Sequence, residues 1–499
     1  MKKFLLSLAI GAMAVSSLSA ATVKDGQTYA PKNGLTCTNL WANDLRHNSE
    51  EWNVRGMNDW GAARQATVLN GVVYIADAGK NDPTVTDAEG TVLESGKLHK
   101  YDLETGEFLG TLPLYEEDGK TRVTGLLNCY SIGVDAFGHL WTMGFSGAAS
   151  PIKVRSIDPE TGITKIQGNL EKGEGAGRTD MGDLIGDVTR EQARCGVVFA
   201  GASGTAVYLW VSEQGSTEWV GGIEGDIVSA EIMDFVPAKS ASFGISPVAK
   251  FVPGEGEEAY NARLFYLDGH GTLPTMYDNT GSLVEGSNFL DIQDEVDAEG
   301  NLVNPDATLV PAVGANGIIE FSLAGRNFIG YAASIWTSSK AYQVNIAEVA
   351  ADYTFTNMDL YWKIPADGLA PSADENGAAK SGVFVQAIDR RYVTDANGKE
   401  GVQIVTYECK VGCAAYLIAE EGFDAGAGVE NALVNGAAVN VIDNVVTVSE
   451  EASEIAVYAV NGQLVAKANN ATELAVEGEG VYVVKVTVNG KQVVKKVVL

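Results

Sequence analysis

Trp41, Arg46, His47, Trp52, Arg55, Asn58, Asp59 and Trp60 fall within twenty residues, and three of the chain's eight tryptophans are among them. Indole faces stack on sugar rings, while a guanidinium and a carboxylate fix hydroxyl groups. The spacing therefore predicts a carbohydrate-binding rim, with Trp52, Arg55, Asp59 and Trp60 as its ligand-binding residues. The same aromatics could equally pack the first structural unit and the segment that leads into it.

No other segment assembles catalytic chemistry. The four histidines, His47, His99, His139 and His270, are never paired at metal-ligand spacing, so a zinc site is not expected. Gly201-Ala-Ser-Gly204 lacks the spacing of a nucleophile elbow and reads as a turn. Gly173-Glu-Gly-Ala-Gly177 looks like a phosphate loop, but no Lys-Ser/Thr follows it. The acidic run from Asp291 to Gly300 misses the calcium-loop spacing and reads as a solvated loop. Catalytic residues stay unassigned, and neither metal nor cofactor is expected.

Five cysteines, Cys37, Cys129, Cys195, Cys409 and Cys413, are too few for a disulfide framework and read mostly as buried apolar thiols. Along an extended strand Cys409 and Cys413 would lie about 13 Å apart. They could meet over a metal or in a disulfide only if the chain turned at Gly412.

The elements that would position such groups are preceded by an address. Lys2 and Lys3 lead an apolar stretch from Phe4 to Val15, and Ser19-Ala20-Ala21 supplies small residues for cleavage. A signal peptide over 1–21 is expected, with export as its consequence. No later run reaches the roughly 18 apolar residues of a membrane helix, so no transmembrane span is expected. The formal net charge of −30 disfavours nucleic acid as a partner, because phosphates would be repelled.

From 25 to 425 the chain reads as strand after strand, an all-β body. Asn70-Gly71 between two apolar runs predicts a type I′ hairpin. Two segments share strand, Asp, Glu-Thr-Gly, strand, and their triplets end at Gly106 and Gly162, 56 residues apart. Val72–Ile75, Leu140–Met143, Ala206–Val211, Leu264–Leu267 and Phe328–Tyr331 are expected at one position in successive units. Repeats of about 55 to 70 residues suit four-stranded propeller blades with inserted loops, roughly five to seven of them. A sandwich with shared turn chemistry is the alternative. Helical spacing is confined to two short candidates, Leu184–Ala193 and Asn345–Ala351.

A Gly/Ala-rich stretch near 421–430 reads as a linker. Beyond it, over 426–499, compact hairpins predict a small β-sandwich. Val481–Val488 places Tyr482, Val484, Val486 and Val488 on one face. Acidity is concentrated before this module: 431–499 holds seven acidic and five basic side chains.

Four pieces of that module, Ile455–Val465, Gly480–Val486, Asn489-Gly-Lys491 and Lys495–Leu499, occur in an order and spacing that resembles the C-terminal sorting domain of the type IX secretion system of Bacteroidetes. The family commonly ends in Lys or Arg, whereas this chain ends in Leu499. The resemblance implies a secretion machine as partner and a secreted or outer-surface location, or a periplasmic one where the machine is absent. For the body, a binding protein for a polysaccharide or a surface protein is the leading expectation. A polysaccharide-active hydrolase or lyase and a protein-binding adhesin or scaffold are the alternatives.

Overall fold

The computed structural model describes residues 23–44, 63–77, 95–124, 131–135, 138–143, 152–170, 179–185, 196–201, 207–210, 226–227, 231–233, 248–252, 264–269, 272–278, 282–288, 317–333, 343–369, 386–395, 397–408, 411–424, 432–434, 437–442, 445–459, 463–476, 481–488 and 491–498, with single residues 86, 88, 90 and 188.

Among the described residues, six sheets make up a β-propeller-like body. After β1 (Leu35–Asp44), the first blade runs β2 (Ala63–Leu69), β3 (Val72–Asp77), β4 (Lys97–Asp102) and β5 (Phe108–Pro113). The second runs β6 (Ser131–Val134), β7 (Leu140–Met143), β8 (Ile152–Ile157) and β9 (Thr164–Leu170). The third holds β10 (Thr179–Ile185), β11 (Gly196–Gly201), β12 (Val207–Trp210) and β14 (Glu231–Met233), while the intervening β13 (Asp226–Ile227) pairs with β9. The fourth comprises β15 (Val248–Val252), β16 (Leu264–Gly269), β17 (Thr272–Asp278) and β18 (Leu283–Asn288). The fifth comprises β19 (Ile318–Leu323), β20 (Arg326–Ala333), β21 (Gln343–Val349) and β22 (Asp359–Ile364). The sixth takes β23 (Gln386–Thr394), β24 (Glu400–Glu408), β25 (Gly412–Glu420) and, as its outer strand, β1.

The leading strands β2, β6, β10, β15, β19 and β23 each lie beside the next, and β23 lies beside β2, so the ring is closed. Pairing of β1 with β25, from Leu35 opposite Glu420 to Asp44 opposite Gly412, ties the two ends of the body together. Apolar clusters fill the spaces between blades rather than one centre. Phe321, Phe328 and Ile346 of the fifth blade pack with Ile404, Tyr416 and Ile418 of the sixth. Val73 and Ile75 of the first pack with Val405 and Tyr407 of the sixth. A blade squeezed between two neighbours needs apolar residues on both faces, as β25 shows with eight of its nine residues buried.

The 56-residue repeat has a structural counterpart. Gly106 (φ 70°) and Gly162 (φ 72°) end matching turns in the outer hairpins β4–β5 and β8–β9. In each, the Asp that starts the turn, Asp102 or Asp158, accepts hydrogen bonds from the two amides of the following Glu-Thr. Each turn also docks on the preceding blade. Gly106 lies against the ring of Trp41, and Gly162 lies under the carbonyl of Pro113.

The Asn70-Gly71 turn has the expected positive φ values of 50° and 75°. Four of the five strands assigned to one position, β3, β7, β16 and β20, are second in their sheets. The fifth is a correction: Ala206–Val211 contains β12, third in its sheet, and β11 fills the second place. One helix candidate is corrected as well: Asn345–Val349 belongs to β21, which pairs with β20 and β22. Those ladders outweigh a weak helical spacing. Of the other, Leu184 and Ile185 close β10, and 186–187 and 189–193 lie outside the described residues.

A strap before β1 is pinned to the sixth blade. Tyr29 and Tyr416 both donate hydrogen bonds to Asp25 Oδ2, at 2.6 and 2.9 Å, and Asp25 N donates to Asn39 Oδ1 at 2.9 Å.

The C-terminal module is a β-sandwich of two sheets. One contains β26 (Ala432–Val434), β27 (Ala437–Ile442), β28 (Val445–Ala452) and β31 (Ala471–Ala475). The other contains β29 (Glu454–Ala459), β30 (Leu464–Ala468), β32 (Val481–Val488) and β33 (Lys491–Val498). Val484, Val486 and Val488 pack in one core with Ile455 and Val446, and Tyr482 packs against it, as the alternation predicts. Among the described residues no helix is long and apolar enough to cross a membrane.

Candidate functional site

Because the leading strands ring the axis, charged side chains on them are brought together from separate blades. β10 supplies Asp183, β15 Lys250, β19 Glu320, and β23 both Asp389 and Arg390. Lys250 Nζ lies 3.4 Å from Asp183 Oδ1, whose partner oxygen accepts the Phe251 amide at 2.9 Å. Arg390 donates to Glu320 Oε1 in an ion pair whose side chains are 16% and 3% exposed. Asp389 turns the other way and accepts from Thr67 Oγ1 and the Val68 amide of the first blade, at 2.6 and 2.7 Å.

The electrostatics follow from burial and neighbours. Burial pushes the Glu320 carboxyl above its ordinary range, and Arg390 and Lys250 reverse this only in part. Burial would pull Lys250 and Arg390 down, but Asp183 beside the first and Glu320 beside the second leave both raised. Among the described residues, Glu320 Oε2 and Arg390 Nε are buried without a hydrogen-bond partner. The pair thus retains one unused acceptor and one unused donor.

Two residues further along the same strand faces, the group reaches the surface. Tyr392, 55% exposed, accepts a hydrogen bond from the Ser322 amide at 3.1 Å, and Arg390 sits 6.0 Å from the centre of its ring. The Ser322 and Tyr353 hydroxyls are 2.8 Å apart. Tyr353 has a positive φ of 61°, a rare backbone state for a bulky residue, and its carbonyl accepts from Tyr266 Oη of the fourth blade at 3.0 Å. An ion pair with spare hydrogen-bonding capacity below an exposed aromatic ring is suited to bind a polar, ring-shaped ligand.

A second polar group lies in the first blade. His99 Nε2 is 2.8 Å from Asp77 Oδ2, and its Nδ1 is 3.2 Å from Thr111 Oγ1. All three sit on adjacent strands of one sheet, with His99 4% exposed. His139 lies 3.0 Å from Asp135 Oδ2, and the same carboxylate accepts the Val188 amide at 2.7 Å, which makes it a brace for Val188. Among the described residues no three His, Cys, Asp or Glu side chains are grouped to hold a metal ion.

Trp52, Arg55, Asp59 and Trp60, with Arg46, His47 and Asn58, lie outside the described residues, as do His270, the runs 173–177 and 291–300, and Cys129, Cys195 and Cys409. Trp41 is described, and it is core: 1% exposed, stacked 6.5 Å from Tyr101 and donating from Nε1 to the Leu103 carbonyl at 2.7 Å. It serves the packing alternative. Cys413 is buried in the cluster between the first and sixth blades, and burial pushes its thiol well up. Cys37 is likewise buried, with a raised thiol, and both are free. The chain turns between Glu408 and Gly412, where those two residues pair.

The Asp44 end of β1 and the Tyr392 surface lie toward opposite ends of the sixth blade. Asp44 pairs with Gly412, which lies across from Glu408 and Gln386, whereas Tyr392 lies across from Val402 and Ile418. Motif spacing does not single out Glu320, Lys250 and Arg390. Their signal is a charge inside a short apolar strand, as in Ile318-Ile-Glu-Phe and Val248-Ala-Lys-Phe-Val, where a both-face-buried strand has no place for an idle charge.

No family model matches the chain, and no curated protein matches it. Among solved structures it is similar to a DUF4623 family protein from Bacteroides eggerthii, at 12% identity over 80% of this chain and 78% of that one, with a TM-score of 0.48. A putative 6-phosphogluconolactonase from Bacteroides uniformis aligns at 12% identity over 81% and 95%, TM-score 0.28. The Trypanosoma rangeli sialidase, solved with sialic acid, aligns at 8% identity over 96% and 90%, TM-score 0.35. Sheet order and ring closure define the fold, and no ligand is carried over from these proteins.

Proposed function

We propose that this chain is an exported binding protein that holds an extracellular glycan on its propeller, with the C-terminal sandwich as a handle for a type IX-like secretion machine. The observation that supports the glycan reading is the Glu320–Arg390 pair with its unused donor and acceptor beneath the exposed Tyr392 ring. Sugars offer what such a surface takes: hydroxyls for the polar pair and an apolar ring face for the tyrosine. The signal-peptide pattern of residues 1–21 and the resemblance of Ile455–Leu499 to sorting domains support export.

The mature chain would be presented to an array of plant and host polysaccharides, with mass spectrometry of the supernatant. Saturable binding without released fragments is the expected result. Release of a defined oligosaccharide would make it a polysaccharide-active enzyme, and neither binding nor release would turn attention to a protein partner.

A further inference from the structure

The two unpartnered atoms at the axis differ in kind. Glu320 Oε2 can only accept a hydrogen bond while ionised, and Arg390 Nε can only donate one. They belong to side chains already bonded to each other, so they are neighbours. A hydroxyl is the simplest group that answers both, since it donates and accepts, and a pair of adjacent hydroxyls does so without strain. An anionic ligand group is poorly served here. Asp183, Glu320 and Asp389 are three carboxylates against two cations, Lys250 and Arg390, and each cation already faces a carboxylate. Glu320 Oε2 and Arg390 Nε are both buried, so a ligand meets them only when the Arg390 side chain, 16% exposed, turns aside; on the same strand face Tyr392 stands outside it with its hydroxyl held by the Ser322 amide. Ser322 continues the strand face of Glu320, so both strands run from a buried charge to an exposed polar or aromatic residue in the same two-residue step.

We propose that Glu320 and Arg390 form the specificity element of the binding site and that its ligand is a neutral sugar residue. One hydroxyl donates to Glu320 Oε2, a neighbouring hydroxyl accepts from Arg390 Nε, and the apolar face of the sugar ring lies on Tyr392. This assignment rests on the glycan-binding reading above and narrows it to uncharged sugars at the fifth and sixth blades.

The test is calorimetric titration of the full mature chain with neutral gluco-, manno- and xylo-oligosaccharides and with an oligogalacturonate. Three variants are carried alongside, Tyr392→Ala, Glu320→Gln and Arg390→Met, each checked for an unchanged far-UV spectrum. A neutral oligosaccharide should bind in preference to the uronate, and Tyr392→Ala, at an exposed position, should weaken it by roughly tenfold or more. Glu320→Gln should weaken it comparably where the variant folds. Preference for the uronate, strengthened by Glu320→Gln, would overturn the neutral-ligand assignment while leaving the glycan reading standing. Neutral binding untouched by Tyr392→Ala would place the site elsewhere and also overturn it. Failure of the wild-type chain to bind any of these sugars would sink the glycan reading together with the inference.

Discussion

The closing blade of the propeller and the outer strands of the C-terminal sandwich are built on the same plan and buried in opposite ways. Each belongs to a four-stranded antiparallel sheet. In β24 and β25 nearly every residue is buried, whereas in β30 and β31 none is. The difference comes from neighbours. A blade is covered on both faces by the blades beside it, so its cohesion is shared around the ring, and the ring must be closed by β1 for the sixth blade to be complete. The sandwich buries one face of each sheet in a single core drawn from its own strands. A self-contained core suits the handle role proposed for the sandwich, while a shared core suits the platform proposed for the blades.

The strongest way to break this comparison is to cut a core side chain in each part. Ile404→Ala, at a fully buried position between the fifth and sixth blades, should cost about 2–5 kcal/mol and lower the melting of the whole propeller. Ile455→Ala, equally buried in the sandwich, should cost a similar amount but lower only the sandwich transition. Scanning calorimetry separates the two. If both variants moved one common transition, the independence of the sandwich would be refuted.

Next in size is the strap. Asp25 is the common acceptor for Tyr29 and Tyr416, and Asp25→Ala would leave two hydroxyls without it, at about 1–3 kcal/mol for each group left unsatisfied. Hydrogen exchange should show residues 23–33 and β1 opening first, with the sandwich unchanged. Protection retained along β1 would mean that the strap contributes nothing to ring closure.

How much of this is legible in the sequence differs between the two parts for the same reason. The sandwich strands alternate, so a period of two is enough to place Tyr482, Val484, Val486 and Val488 on one face, and the core bears that out. Propeller strands are apolar on both faces and lack that alternation, so their existence can be read but their position only in part: β3, β7, β16 and β20 stand second as expected. By contrast, β12 stands third in its sheet rather than second, and the segment near Asn345, whose spacing suggests a helix, is a strand. Turn chemistry travels best, since Asn70-Gly71 and the two Glu-Thr-Gly turns demand glycine for local reasons. The axial charges are the least legible. Asp183, Lys250, Glu320 and Arg390 are spread over more than two hundred residues, and only the packing of successive blades makes them neighbours.

Glycine substitutions sharpen the blade-docking half of the comparison. Gly162 and Gly34 have similar φ values, 72° and 77°, so alanine should pay about 1–2 kcal/mol of left-handed strain at either. Around Gly34 a Cβ meets nothing within 4 Å, but at Gly162 it would fall 2.0 Å from the Pro113 carbonyl oxygen of the preceding blade. Gly162→Ala should therefore cost roughly 1–3 kcal/mol more than Gly34→Ala in urea unfolding. Equal losses would show that the turn does not seat on the first blade.

The smallest effects lie on the surface, where the two parts hold carboxylates down by different means. The Thr121 hydroxyl, with the Thr121 and Lys120 amides, holds Asp118 of the body at about 2, while hydrogen bonding to the Lys467 ammonium holds Glu454 of the sandwich below the usual range. Both are depressed, so each contributes stability that is present above the ordinary carboxylate range and is lost as pH falls, for Asp118 on the way down through about 2. Asp118→Ala should flatten the acid limb of the propeller transition, and Glu454→Gln that of the sandwich. Added salt should distinguish them, because the exposed Glu454–Lys467 pair is screened and the neutral donors around Asp118 are not. Urea midpoints followed between about pH 4 and 2 at low and high salt should show the Glu454 contribution fading and the Asp118 contribution persisting. A salt-sensitive Asp118 contribution would mean that Lys120, whose charge stands close by, matters more to it than the turn's hydrogen bonds do.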